Sequence, residues 1–276
     1  VSAQKNKKHL KASKKSMKNY QTIKSAFDGP VVTLWLARPE VHNALNNIMI
    51  REISLFFSKI ETMSEIRIVV IRGLGKSFCS GADLRWMKNA VMLSEEENLK
   101  ESAELSAMFE AIFNSCKIVI AAVHGNVYGG GTGLVAVCDL AYCTSNAKFS
   151  LSETRIGMAA ASIIPYLSQK IKVADLKELI FSAKSFSGDD AVNYGLLNHS
   201  FPSQEALDLY LKGITSQMLE NGKQALIISK RLINKITIQS VSGILEQIPG
   251  LLAQIRISPE AREGFSAFLE KRKPGW

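Results

Sequence analysis

The sequence predicts an α/β protein with parallel strand pairing and a helical C-terminal quarter. Two kinds of pattern carry that reading. Short, almost wholly apolar runs such as "IRIVVIRG" (66–73) and "KIVIAAVHG" (117–125) alternate with amphipathic helical stretches, as expected for strands covered on both faces. From about residue 204 onward, helical patterns follow one another without a strand between them. No Pro/Gly/Ser-rich linker separates the two parts, so they are expected to pack as one continuous unit, and no internal repeat is present.

The elements follow in order. "PVVTLWLARPE" (30–40) is a β-rich run ended by Pro39. A helix over 46–60 places Met49, Ile53, Phe56, Phe57 and Ile60 on one face. Ser94 and Glu97 form a capping box that opens a long helix with a core stripe of Leu105, Met108, Phe109, Ile112 and Phe113. The strand at 117–125 leads into the glycine run "GGGTG" (129–133). C-terminal helices are predicted over 204–220, 222–237 and 241–256, with a last one opened by Ser258 and Pro259.

Composition bounds the class. The chain has 276 residues, 46% of them hydrophobic and 21% charged, as in ordinary globular proteins. No window approaches the ~18 unbroken apolar residues of a membrane helix, so no membrane partner is expected. The four cysteines (Cys79, Cys116, Cys138 and Cys143) have neither CxxC nor disulfide-framework spacing, which points to a reduced, cytoplasmic chain. Six of the nine net positive charges are lysines within residues 1–16. That tail reads as disordered, with neither a secretory core nor a presequence's arginines, and Met17 is an alternative start. A nucleic-acid or anionic-surface role for the tail is the weaker reading of its charge.

Several motifs fail. "GLGKS" (73–77) ends like a phosphate loop, but Val70 stands where its leading glycine belongs. Leu134 breaks a GxGxxG reading. There is no GxSxG, and the four histidines, His9, His42, His124 and His199, lack ligand spacing. No metal and no dinucleotide cofactor are expected.

Two loops remain. "KSFCSGADLRWM" (76–87) and "HGNVYGGGTGLVAVCDL" (124–140) place small residues at the carboxyl ends of parallel strands, where α/β sheets bind ligands. The second opens a helix, whose free N–H groups face what binds there. Two such loops can hold one carbonyl oxygen between two peptide donors, as an oxyanion hole does. The competing reading is that the glycines merely turn the chain tightly.

The combination of "FCSGADL", "GNVYGGGTGLVAVCDLAYCTSNAKFSLSETRIGM" and "AKSFSGDDAVNYGLLN" resembles the crotonase (enoyl-CoA hydratase/isomerase) superfamily from about Tyr20 to Trp276. "GADLRWM", "LSETRIGM" and "EGFSAFLEKRKPGW" look most like bacterial methylglutaconyl-CoA hydratases of leucine degradation. The resemblance implies a spiral of ββα turns, a C-terminal helical trimerisation region after 203, and a homotrimer or a homohexamer. It implies an acyl-CoA substrate, with coenzyme A part of the substrate and no further cofactor. Matched residue by residue, it implies oxyanion donors at the backbone N–H of Ala82 and Gly130. It implies CoA contacts around Val41, Asn43 and Ala44 and along Ser80, Gly81, Asp83 and Leu84. Gly129 and Gly133 would border the acyl group, as would Trp86 and Met87, for which hydrophobic packing beneath a loop is the competing reading, and Lys271, expected on the final helix, would help close the pocket. Arg38 begins a segment in which many relatives carry a lysine. Arg85, Lys88 and Arg155 are the cations available to a distal carboxylate, against a solvated surface role for each.

The resembling hydratases carry two glutamates. One matches Glu153; the other matches Gly133, which has no side chain. Glu153 would then serve both ends of the double bond alone, or a water or another residue would take over part of the work. A single carboxylate is also the pattern of the enoyl-CoA isomerases. Three functions therefore stand: a hydratase-type lyase, an isomerase, and a non-catalytic protein binding through the basic tail.

Overall fold

The computed structural model of the chain describes residues 20–90, 92–238 and 248–276. The lysine-rich tail over 1–16, and with it any role for the tail, lies outside the described residues.

Strands β1 (Ile23–Asp28) and β2 (Val31–Leu36) form an antiparallel hairpin turned by Gly29 at φ +55°. On β2, Val32, Leu34 and Leu36 are fully buried, the period-2 signature of one core-facing side. A 3₁₀ turn (Pro39–Val41) leads to α1 (Asn47–Glu61), capped by the Asn46 side chain and burying the predicted stripe. Next come β3 (Ile68–Gly73), β4 (Ser77–Cys79), α2 (Leu84–Ala90) and α3 (Glu95–Phe113), the last opened by the Ser94–Glu97 capping box. Of its expected stripe, Met108, Phe109 and Ile112 are buried, and Leu105 and Phe113 pack at the core's edge.

The chain continues through β5 (Ile118–Val123), β6 (Asn126–Tyr128), α4 (Gly130–Ala136), β7 (Leu140–Thr144) and β8 (Lys148–Ser150). A 3₁₀ helix (Glu153–Ile156), α5 (Ile164–Leu167), α6 (Val173–Ser182), β9 (Ser185–Ser187), α7 (Gly188–Asn193) and β10 (His199–Phe201) complete the body. The C-terminal helices are α8 (Gln204–Leu219), α9 (Lys223–Ile238), α10 (Ile248–Ile257) and α11 (Pro259–Leu269). The expected helix over 241–256 is seen from Ile248; its first part lies outside the described residues.

Two sheets result. The larger has order β1-β2-β3-β5-β7-β10 and is parallel from β2 onward. The smaller has order β4-β6-β8-β9, with β4, β6 and β8 parallel. The three central turns, β3–β4, β5–β6 and β7–β8, each lay one strand in the large sheet, one in the small sheet, and then helix, which is the expected ββα spiral.

The apolar strands have two covered faces. Val69 and Ile71 of β3 join the main core with α1 and α3, while Ile68 and Val70 meet Leu207 and Leu211 of α8 on the other side. Helix α9 is pinned to the body by Lys230 Nζ, which donates to Asp139 Oδ2 at 2.8 Å and to the Lys117 carbonyl at 2.9 Å. Among the described residues, no helix is long and apolar enough to cross a membrane.

The two loops do not leave the long apolar strands directly. β4 and β6 intervene, so the loops leave the carboxyl ends of the small sheet, whose three-residue strands carry no periodicity to reveal them.

Candidate active site

β4 and β6 run parallel and adjacent, pairing Ser77 with Asn126 and Cys79 with Val127, so their following loops emerge side by side. Gly81, at φ +91°, lets them touch: a Cβ there would lie 2.9 Å from the Tyr128 carbonyl oxygen and 3.7 Å from the Gly130 nitrogen. Gly131 brings α4 onto β4, since a Cβ at that position would fall 2.3 Å from the Cys79 carbonyl oxygen.

The first loop is laced to Leu45. Leu45 N–H donates to the Gly81 carbonyl at 2.7 Å, and Asp83 N–H donates to the Leu45 carbonyl at 2.8 Å. The peptide groups flanking Ala82 are thus engaged, while Ala82 N–H has no acceptor among the described residues. In the second loop, Gly129 N–H is taken by the Ser150 carbonyl at 3.0 Å. Gly130 opens α4, and its N–H has no acceptor among the described residues either, as expected in a first helical turn.

Glu153 follows β8 as the first residue of the 3₁₀ helix. Its carboxylate faces the glycine turn, with Oε1 2.9 Å from where a Gly129 Cβ would stand. Oε2 is buried and without a hydrogen-bond partner among the described residues. Burial pushes the Glu153 carboxyl above its usual range, opposed by its own backbone N–H. The short helix is held by Thr154 Oγ1, which donates to the Ile180 carbonyl at 3.0 Å, and by Arg155 Nη2, which donates to the Ala183 carbonyl at 2.9 Å.

Gly133 lies on the next turn of α4, and the space for its side chain is taken. A Cβ there would meet Ile163 Cγ2 at 2.2 Å and Phe109 Cζ at 3.1 Å. The arrangement is one carboxylate with a free oxygen, two unspent N–H donors, and an apolar wall. It can take and return a proton next to a carbonyl group.

Residues 26–276 match the sequence profile of the enoyl-CoA hydratase/isomerase family. The chain belongs to that family.

Among its relatives, a short-chain-enoyl-CoA hydratase of Clostridium acetobutylicum is 29% identical over 89% of this chain and 94% of its own length. A peroxisomal Delta(3,5)-Delta(2,4)-dienoyl-CoA isomerase of Arabidopsis thaliana is 29% identical over 94% of this chain and 97% of its own. A solved enoyl-CoA hydratase from Mycobacterium smegmatis superposes with a TM-score of 0.87 at 32% identity, covering 92% of this chain and 98% of that one. The α/β body is the crotonase-like spiral of the enoyl-CoA hydratase/isomerase family, followed by a helical C-terminal region.

The other expected site residues are placed unevenly. Val41 is exposed and Ala44 is buried. Ser80 N–H donates to the His42 carbonyl at 3.0 Å, joining the 41–44 segment to the first loop. Asn43 is fully buried, and its side chain is spent inside the protein: Oδ1 accepts from Arg38 N–H, and Nδ2 donates to the Leu74 and Ser77 carbonyls. Asp83 is likewise committed, to Arg38 and to the N–H groups of Arg85 and Trp86. Burial works against its charge, but these donors outweigh it and hold the carboxyl below its usual range. Both residues therefore support the loops through internal bonds.

Leu84 stands 81% exposed at the start of α2, open to whatever covers this edge. Trp86 is half-buried, its indole N–H donating to Glu101 Oε2 at 2.7 Å, which fixes the ring against α3. Of the cations, Arg155 is turned to Ala183, while Arg85 and Lys88 are exposed on α2. Lys271 differs from expectation. It lies beyond the last helix, at φ +54° and exposed, between a C-cap and the Arg272–Glu263 pair. No hydrogen bond or ion pair among the described residues joins it to the two loops.

His42 Nδ1 meets Ser77 Oγ at 3.0 Å, His124 Nε2 meets the Gly75 carbonyl, and the His199 ring stacks against Tyr142. Among the described residues, no group of three or more His, Cys, Asp or Glu side chains is placed to hold a metal. Sequence reasoning missed the bracing of Asp83 by Arg38 and the occupation of the Gly133 space by Ile163 and Phe109. Neither has a local signal, since the partners are far apart in the chain.

Proposed function

We propose that this family member is a hydratase-type lyase that adds water to, or removes it from, a short branched enoyl-CoA, best matched by methylglutaconyl-CoA, with Glu153 as its single acid–base group. The observation that carries the reading is the Glu153 carboxylate against the Gly129 turn, with one of its oxygens and the N–H groups of Ala82 and Gly130 unpartnered among the described residues.

In this mechanism the thioester oxygen accepts from Ala82 and Gly130, whose donors stabilise the enolate charge that develops there. Water attacks Cβ and gives a proton to ionised Glu153; the new C–O bond forms as the double-bond electrons move onto the enolate. Glu153 then returns that proton to Cα and is ionised again. A carboxyl raised by burial is better matched to both halves of this exchange. Coenzyme A enters as part of the substrate, the chemistry requires no further cofactor or metal, and the segments 41–44 and 80–84 are its binding stretches. Arg85 and Lys88, exposed beside Trp86 and free of ion pairs among the described residues, support a substrate with a distal carboxylate. The exposed Phe265, Phe268 and Leu269 on α11 support assembly into a homotrimer or homohexamer, and four free cysteines support a cytoplasmic location.

The second reading is an enoyl-CoA isomerase, in which Glu153 moves one proton between two carbons. The apolar wall of Ile163 and Phe109 at Gly133 favours it, because the atoms nearest that position are all carbon and give a water nothing to bond. Separate incubation with 2-enoyl and 3-enoyl thioesters, including one with a distal carboxylate, tests the two. A 3-hydroxyacyl product from a 2-enoyl-CoA supports the hydratase. Conversion of 3-enoyl to 2-enoyl without any hydration product replaces it with the isomerase.

A further inference from the structure

We propose that Arg38 is a positioning residue for the oxyanion hole, acting on Ala82 N–H through a guanidinium bridge between the 41–45 segment and the Ser80–Leu84 loop. The inference rests on the proposed role of Ala82 as an oxyanion donor.

Arg38 Nη1 donates to the Ala44 carbonyl at 2.7 Å, and Nη2 donates to Asp83 Oδ2 at 2.8 Å. The two side chains are only 17% and 10% exposed, so solvent screens the bridge little. Its ends are the residues next to those that clamp Ala82. Ala44 precedes Leu45, which binds the Gly81 carbonyl and the Asp83 N–H on either side of Ala82. Asp83 in turn accepts from Arg85 N–H at 2.9 Å and Trp86 N–H at 3.4 Å, so the same carboxylate caps α2. The Ala82 peptide is therefore held from both flanks by a frame closed by one guanidinium.

The Arg38 backbone is fixed as well. Its N–H donates to Asn43 Oδ1 at 2.9 Å, and its carbonyl accepts from Asn43 N–H at 2.9 Å. Asn43 and His42 both adopt left-handed backbone, at φ +56° and +53°, a strained pair that these bonds hold in place. A planar fork with two donors suits this double duty; an ammonium supplies the charge but not the fork. Both terminal nitrogens point inward to protein oxygens, which sets Arg38 apart from a ligand for the phosphates of CoA.

The test uses the full chain and acetoacetyl-CoA, a 3-ketoacyl thioester whose enolate absorbs in the near ultraviolet. Wild type should shift half-enolisation of the bound ligand to lower pH than in free solution. Arg38→Met should move it back by about one pH unit or more and lower kcat at least ~10-fold, a fraction of the ~10²–10³ for losing one donor outright, while KM for the enoyl-CoA changes less than about 3-fold. Arg38→Lys should fall between the two, and it serves as the readout if Arg38→Met does not fold. Wild-type enolisation and kcat in the folded Arg38 variants would overturn the inference, as would a raised KM with unchanged kcat, the mark of a phosphate ligand. If wild type itself shows no shift, the oxyanion reading of Ala82 fails, which is a distinct outcome from an Arg38 effect that is absent.

Discussion

Ile163 occupies the place of a side chain at Gly133: a Cβ there would lie 2.2 Å from Ile163 Cγ2. A second carboxylate at this point is excluded by packing as well as by the identity of the residue. Gly133 sits inside α4, where alanine gains roughly 0.8–1 kcal/mol of helix propensity. Overpacking a full core costs about 1–3 kcal/mol, so the clash should win. Gly133→Ala should lower the urea midpoint at constant slope. In an Ile163→Ala background the same substitution should become neutral or stabilising, and an equal loss in both backgrounds would contradict the packing account.

The pH dependence of the rate follows from the burial of Glu153. In the proposed mechanism the reaction starts from the ionised carboxylate, and burial raises the pH at which it ionises. The acid limb of kcat/KM should therefore lie above the ordinary carboxylate value. A limb at or below that value, measured across pH 4 to 8 in a constant-ionic-strength buffer, would show that Glu153 is not the titrating base.

The same burial has an opposite effect on stability. The folded carboxyl titrates above its unfolded value, so between the two the folded chain binds more protons and stability falls as pH rises. Glu153→Gln removes that penalty. Denaturation curves should show the variant more stable than wild type at neutral pH, with the difference fading below the ordinary carboxylate range. A variant less stable at neutral pH would contradict an uncompensated buried carboxylate.

Helix α9 is tied to the body by a buried pair, Lys230 with Asp139, whose side chains are 6% and 17% exposed. Removing one member of such a pair leaves a buried charge and costs about 3–5 kcal/mol. Lys230→Met should show a loss of that order in chemical denaturation, and adding Asp139→Asn should recover part of it. A loss below about 1 kcal/mol would mean that α9 is held by its apolar face and by the Lys223 and Asn234 side chains, which donate to the Ser64 and Phe113 carbonyls, rather than by this pair.

The large sheet was legible because β3 and β5 are covered on both faces, and sequence writes that as unbroken apolar runs. α1 and α3 were legible from their stripes and from the Ser94 capping box. β4, β6, β8 and β9 were not, since three residues hold too little periodicity to separate a strand from a loop. Glu153 and the glycine run came from a resemblance carried by local motifs, whose residues lie close together in the chain. The Arg38–Asp83 bridge spans 45 residues, and charge pairs leave no pattern at that range. Ile163 gave no hint either, because an isoleucine that fills a missing side chain reads like any other core residue. Lys271 was misplaced for a related reason: the helix stops at Leu269, and the turn to left-handed backbone at a lysine has no strong local signal.

The central claim is that Glu153 alone carries the proton chemistry. The most direct measurement is single-turnover hydration of a 2-enoyl-CoA with a distal carboxylate, by wild type and by Glu153→Gln, together with the affinity of each for the thioester. The account predicts a 3-hydroxyacyl product from wild type, a loss of at least ~10³-fold in the variant, and affinity within about 3-fold, since the proposed oxyanion donors and CoA segments are untouched. Turnover by Glu153→Gln near the wild-type rate would remove Glu153 from the mechanism.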